Sequence, residues 1–160
     1  MKFTNIIIGF ILGIITTGAA VWMIMPSLML TERASPYSIE ETVAKITSNA
    51  KAENWVISST QQLHKSVKKH GGGDLPPVML INLCQADHAH NILKEDANKV
   101  ISVMMPCTIS VYEKSDGQVY VGTMNAGLLG TMFGGTVAEV MGGAVAAQQH
   151  KFMLFLNDKK

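Results

Sequence analysis

Cys84 and Cys107 are the two cysteines of this 160-residue chain, and soft donors stand beside both. Cys84 closes the run Ile81-Asn82-Leu83-Cys84, with Asp87, His88 and His90 just behind it. Cys107 follows Met104, Met105 and Pro106. Thiolate, imidazole and thioether are the donor set of a soft metal such as copper(I). Cys84, Cys107, His88 and Met105 are therefore the candidate metal ligands. The spacing Cys-x3-His is not a standard zinc pattern, and two cysteines are too few for a four-cysteine zinc site or a disulfide-stapled scaffold.

The same two thiols admit other chemistry. With His88 they could hold a small sulfur species or a haem-like ligand, or act as a thiol-based oxidoreductase. An oxidoreductase requires an accessible thiol of low pKa. The structural alternatives are a disulfide, contributing about 3 kcal/mol in the chain-entropy model, or two buried small hydrophobes. Were the two cysteine strands parallel neighbours, their opposite ends would lie too far apart to bond. His88 and His90 are two residues apart and cannot share one helix face, so at most one of them faces the thiols. Gly71-Gly72-Gly73 lacks the Lys-Ser/Thr pair of a phosphate-binding P-loop, and no Ser-His-Asp signature is recognisable. No particular cofactor is specified.

The elements that must position these residues follow from pattern. Leu28 to Ala34 reads as a first strand, and Ser35-Pro36 as a turn. Ser38 and Glu41 make a capping box ahead of Ile39, Val43, Ile46 and Ala50, so residues 39–52 read as an amphipathic helix. Trp55 to Ser59 is β-favouring, and Gln61 to His70 a short basic helix with a solvated face. Val78 to Leu83 is a strand and Asp87 to Asn98 a helix. Thr108 to Glu113 and Gln118 to Thr123 are strands joined by Ser115-Asp116-Gly117, a hairpin signal. Helices mixed with an antiparallel sheet give an α+β class. The seven methionines from Met79 to Met153 are mostly core filler by this reading.

Hydrophobic residues make up 48% of the chain and charged ones 16%, which excludes a disordered chain. The net charge of +1 removes the basic face that a nucleic-acid partner needs. Much of the apolar content is local. Ile6 to Met25 supplies the roughly 20 apolar residues that cross a bilayer, and Pro26 is expected to stop that helix. Residues 1–27 then form a membrane anchor, and residues 28–160 a single α+β domain. A cleaved signal peptide is the competing reading, with Lys2 as its charged start and Gly18-Ala19-Ala20 as its cleavage site. Val21 to Met25 continues the apolar run past that site and favours an uncleaved anchor. Lys2 is one of 13 basic residues, and all 12 acidic ones lie beyond the apolar run, so the remainder is formally neutral.

A second apolar region is rich in glycine. Gly130, Gly134, Ala138, Gly142 and Ala146 are spaced by four. On one continuous helix they form a stripe of small residues that admits close approach of another backbone. That backbone could belong to the chain's own fold or to a second copy in a homodimer. A further membrane span is disfavoured by Glu139, and the Gly134-Gly135 pair could break the segment into two helices.

Several of these segments together resemble the domain-of-unknown-function 302 family. Its pattern is a strand ending Cys-Asn-Pro, Ala-x-x-x-Leu on a helix, then Pro-Cys before a Val-x-Val-Tyr-Glu strand. The matching residues are Cys84-Gln85-Ala86, Ala89 and Leu93, Pro106-Cys107, and Ile109-Ser110-Val111-Tyr112-Glu113. Asp116 to Val121 is similar to the family's next strand and Ser38 to Ile46 to its first helix. The resemblance runs from about residue 28 to the region of Val140. Gln85-Ala86 departs from Asn-Pro and removes a rigid turn. The resemblance implies a small antiparallel sheet with packed helices, similar to the TATA-binding-protein-like class, here preceded by one transmembrane helix. It also implies a homodimer, and supplies no activity.

The signal-like start puts the N-terminus in the cytoplasm and the domain on the extracytoplasmic side, although flanking charge is nearly balanced. A reporter fused after Lys160 is expected to work only when it can function outside the cytoplasm. Activity of a strictly cytoplasmic reporter would reverse the orientation.

Overall fold

The computed structural model describes residues 3–157. Lys2, the expected charged start of the anchor, lies outside them, as do the last three residues of the expected domain. The first element, α1 (Phe3–Met29), is uncharged along its whole described apolar stretch. Ile6–Met29 has a mean hydropathy of 2.2 over its most apolar window and is not buried against the rest of the chain. Among the described residues it is the one helix long and apolar enough to cross a membrane. Pro26 lies inside this helix rather than at its end. Proline forfeits only the bond to the carbonyl four residues back, and the end of the helix is held from outside. The Asn125 backbone N–H donates to the Met29 carbonyl at 2.8 Å, and Asn125 Nδ2 donates to the Leu28 carbonyl at 3.0 Å.

β1 (Leu30–Ala34) begins at the next residue, so the helix enters the sheet with no linker. The chain then turns into α2 (Ile39–Ala52), where the expected capping box is present. Ser38 Oγ accepts from the Glu41 N–H, and Glu41 Oε2 accepts from the Ser38 N–H, each at 3.2 Å. Ile39, Thr42, Ile46 and Ala50 are its buried face, with Thr42 fully buried where Val43 was expected and Val43 half-buried beside it. Buried Thr42 and Ser35 satisfy each other through a 2.7 Å hydroxyl contact.

The remaining strands are β2 (Val56–Gln62), β3 (Val78–Cys84), β4 (Cys107–Glu113) and β5 (Val119–Met124). A short α3 (Leu63–Lys69) follows β2. The five strands lie in the order β1-β5-β4-β3-β2, and every neighbouring pair is antiparallel. This is the α+β architecture expected from the pattern. β1 and β2 are the two edges, so α2 must cross one face of the sheet to join them. The β4–β5 hairpin turns where expected. Gly117 takes a positive φ of 78°, which glycine adopts without steric cost, and Asp116 Oδ1 accepts from the Gln118 N–H at 2.9 Å.

Strand alternation sorts the side chains. Ile81, Leu83, Ile109, Val111, Val119 and Val121 are buried beneath α2. They join Ile46, Trp55 and Phe152 in one core. Asn82, Ser59, Thr108, Tyr112 and Glu32 fall on the other, polar face. There Asn82 bonds Ser59 and Thr108 at 2.9 and 2.8 Å.

The glycine-rich region is not one helix. α5 (Ala126–Phe133) ends at Gly134 and Gly135, both with positive φ (71° and 49°). The chain then doubles back through α6 (Gly135–Val137), a wide π-helical stretch (Ala138–Val145) and α7 (Ala146–Phe152). The five-residue stripe is thereby cut at Gly134, and its close approach is made within the chain. A Cβ at Gly130 would stand 2.5 Å from the Gly142 nitrogen and 3.0 Å from its Cα. Of the readings open for the stripe, close packing within the chain's own fold is the one made at Gly130 and Gly142.

Gly130→Ala is expected to lower unfolding stability by about 1–3 kcal/mol, because fixed backbone must move. At Gly142 the nearest atom to an added Cβ lies at 3.5 Å. Gly142→Ala is therefore expected to be neutral or stabilising, by up to about 1 kcal/mol from helix propensity. Thermal unfolding of the full chain in detergent reads both; equal effects would refute the asymmetric contact.

Candidate functional site

In an antiparallel pair the end of one strand lies beside the start of the next. β3 and β4 obey this with Leu83 directly opposite Cys107. Cys84, the last residue of β3, is one position further on. The 22 residues between the cysteines leave the sheet and return to the same end. They form α4 (Ala86–Leu93) and a 3-10 stretch (Asp96–Met104), where the sequence suggested one helix to Asn98. Parallel pairing, which would have separated the thiols, does not occur.

α4 starts immediately after Cys84 because Gln85 caps it. Gln85 Oε1 accepts from the His88 N–H at 2.6 Å. The amide therefore does a turn-forming job that the missing Asn-Pro would otherwise supply. Helix spacing then sends His88 and Ala89 inward and leaves His90 exposed. Only His88 of the two histidines reaches the thiol end of the sheet.

One pocket collects these groups. Cys84, Cys107, His88, Met104, Met105 and Met141 line it, with Trp55, Leu83 and Ile92 as apolar wall. The sequence candidates Cys84, Cys107, His88 and Met105 are thus brought together. None of Gly130, Gly134, Ala138, Gly142 and Ala146 lines the pocket. Met141 comes from the π-helical stretch and was hidden among the core-filling methionines. Its signal in the sequence was only its softness.

Gln148 is the residue that sequence reading missed. Its Oε1 accepts from Trp55 Nε1 at 3.0 Å and sits 2.8 Å from His88 Nε2. A carbonyl can only accept, so the His88 proton belongs on Nε2 and Nδ1 keeps its lone pair. His88 and Gln148 are 60 positions apart, and no local spacing links them. Trp55 also meets the His88 ring edge-on, with centroids 6.0 Å apart.

Both cysteines are free thiols, so the disulfide expected among the structural alternatives is not formed. Burial, and then the nearby Cys84, push the Cys107 thiol up to about 11. Cys107 is the opposite of an activated nucleophile. The cavity holds about 30 Å³. That admits roughly one water-sized occupant and is far smaller than a haem-like ligand. Among the described residues no three His, Cys, Asp or Glu side chains converge on a metal position. A zinc centre of three or four such ligands is therefore not assembled. The donors in surplus are thioethers. A larger open groove of about 670 Å³ lies at the opposite end of the sheet, lined by Ser35, Glu40, Glu113 and Gln118. It contains neither thiol nor imidazole.

The model of the family described as "Domain of unknown function DUF302" matches residues 31–154, and the chain belongs to that family. A crystal structure of an uncharacterized conserved protein of this family from Bacillus stearothermophilus is similar in fold, with a TM-score of 0.70 and 14% identity. The alignment covers 82% of this chain and all of that one. No curated protein matches.

The raised Cys107 pKa has a sign. Its ordinary value is 9.0 and the folded value about 11, so the folded chain holds this proton more tightly. The associated stability is present below about pH 9 and is lost as pH rises through 11. Alkylation of Cys107 in the native, reduced protein is expected to be slow at neutral pH and to rise roughly tenfold per pH unit toward 11. Fast labelling at pH 7 by mass spectrometry would contradict the raised pKa of this half-buried thiol.

Proposed function

We propose that this domain binds a single soft metal ion, copper(I), between Cys84 and Cys107 while tethered to a membrane by α1. One observation carries the reading. Two thiols and three thioethers line a single pocket whose free volume suits one small ion. Thiolate and thioether ligands select copper(I) over harder ions. Thioethers contributed by Met104, Met105 and Met141 complete the donor set, and His88 Nδ1 is the available nitrogen.

Binding exchanges protons for metal: the ion takes thiolate, and the thiol protons leave to solvent. The raised pKa of Cys107 lowers the affinity at neutral pH and extends its pH dependence up toward 11. It also disfavours the oxidoreductase reading, which needs a thiol that ionises readily near neutrality. Gln148 acts on the site through His88, fixing which ring nitrogen carries the proton. The length and apolarity of α1 support the anchor, and the signal-like N-terminus supports an extracytoplasmic domain.

The test is an anaerobic titration of the reduced full chain in detergent with copper(I) held by a chromophoric competitor. One equivalent is expected, with sulfur scattering in X-ray absorption. Cys84→Ser and Cys107→Ser should each weaken binding by more than the roughly 10–100-fold that loss of an outer partner costs. Gln148→Ala should fall within that range. Absence of uptake, or an unchanged affinity in both cysteine variants, would sink the proposal.

A further inference from the structure

We propose that the end of α5 is a second membrane contact, lying at the surface of the same bilayer that α1 crosses. The inference rests on the reading of α1 as a membrane span and goes beyond it. The first observation is rigid connection. Asn125 holds the Leu28 and Met29 carbonyls at the end of α1. The same Asn125 caps α5, its Oδ1 accepting from the Leu128 N–H at 3.0 Å. The helix that would cross the bilayer and α5 therefore spring from one hydrogen-bonded joint, with no linker between span and sheet.

The second observation is a shared groove. Trp22, Met25 and Met29 of α1 face Met124 and Leu129 across an almost wholly apolar groove of about 510 Å³. α5 thus runs beside the last turns of α1. A hydrocarbon core of about 20 residues counted from Ile6 ends near Met25. Trp22 and this groove then lie at the headgroup boundary, where tryptophan is enriched.

The third is an uncovered apolar tip. Met132 and Phe133, the last two residues of α5, are 59% and 52% exposed. No charged residue occurs between Asp116 and Glu139. A short uncharged helix with an apolar tip, held beside a span at this depth, meets lipid before it meets any other partner. Its chemistry is that of the headgroup–acyl boundary. The occupant of the groove is an acyl chain.

The experiment uses the full chain in vesicles of dibrominated phosphatidylcholine, whose bromines quench nearby indoles. Trp22→Phe is the parent, leaving core Trp55. Phe133→Trp is added to it, and Asp74→Trp, at the far end of the sheet, is the control. The emission added by Phe133→Trp is expected to fall by about half, as for an interfacial indole. The emission added by Asp74→Trp should be unaffected. Retention in the bilayer at alkaline pH is measured on the same samples. Retention with equal, weak quenching at both positions overturns the α5 contact and leaves the anchor standing. Release from the bilayer overturns both.

Discussion

The pairing of Leu83 with Cys107 is the constraint on which the rest of the structure depends. It fixes the register of β3 against β4, and through them the sheet. Strand side chains alternate with a period of two, so a slip of one residue exchanges the two faces. Here the register puts Ile81 opposite Ile109 and Met79 opposite Val111. These residues can then meet Ile46 and Ala50 of α2 in one core. A slip of one residue would bury Asn82 and Thr108, whose bonds to each other and to Ser59 are made on the open face. The same pairing brings both thiols to one end of the sheet. The core and the site are thus set by one alignment.

That end is then roofed by helices instead of being left to water. A smaller cluster of Ile92, Ile101, Val137 and Met141 forms above it. The roof can come down only because Gly130 has no side chain where it meets the Gly142 backbone. Close packing leaves the pocket nearly full and apolar, and an apolar wall disfavours an anion. Cys107 accordingly keeps its proton. An apolar pocket with sulfur on several sides is a poor place for a nucleophile.

Local signals were legible in the sequence and distant ones were not. The capping box at Ser38 and Glu41, the turn at Asp116-Gly117 and the faces of α2 each rest on residues within a few positions. The strands were placed to within a few residues for the same reason. The thiol segments were recognisable, and their membership of one pocket depended on a register that no local pattern fixes. The bridge from Gln148 to Trp55 and His88 spans 93 and 60 positions and leaves no periodic trace. The small-residue stripe misled differently. A four-residue spacing describes a face only while the helix lasts, and positive φ at Gly134 ends it. Pro26 misled because helix ends were judged without Asn125, which satisfies the carbonyls from the junction between β5 and α5.

The placement of the site on the sheet has a consequence for how a ligand would reach it. Cys84 ends β3 and Cys107 starts β4, while α1 enters at the start of β1 opposite Met124, the end of β5. In an all-antiparallel sheet of this order, those four termini share one end. The pocket therefore sits at the end of the domain from which the apolar helix departs, and the open polar groove by Glu113 at the other. With α1 continuous into β1, the domain has no tether with which to lift that end away from the point where α1 leaves it. The helical groups around Cys84 come from α4, the 3-10 stretch and the π-helical stretch, so a soft ion reaching it would pass these and not the polar sheet face. The route, like the register, is set by antiparallel geometry before any ligand chemistry enters.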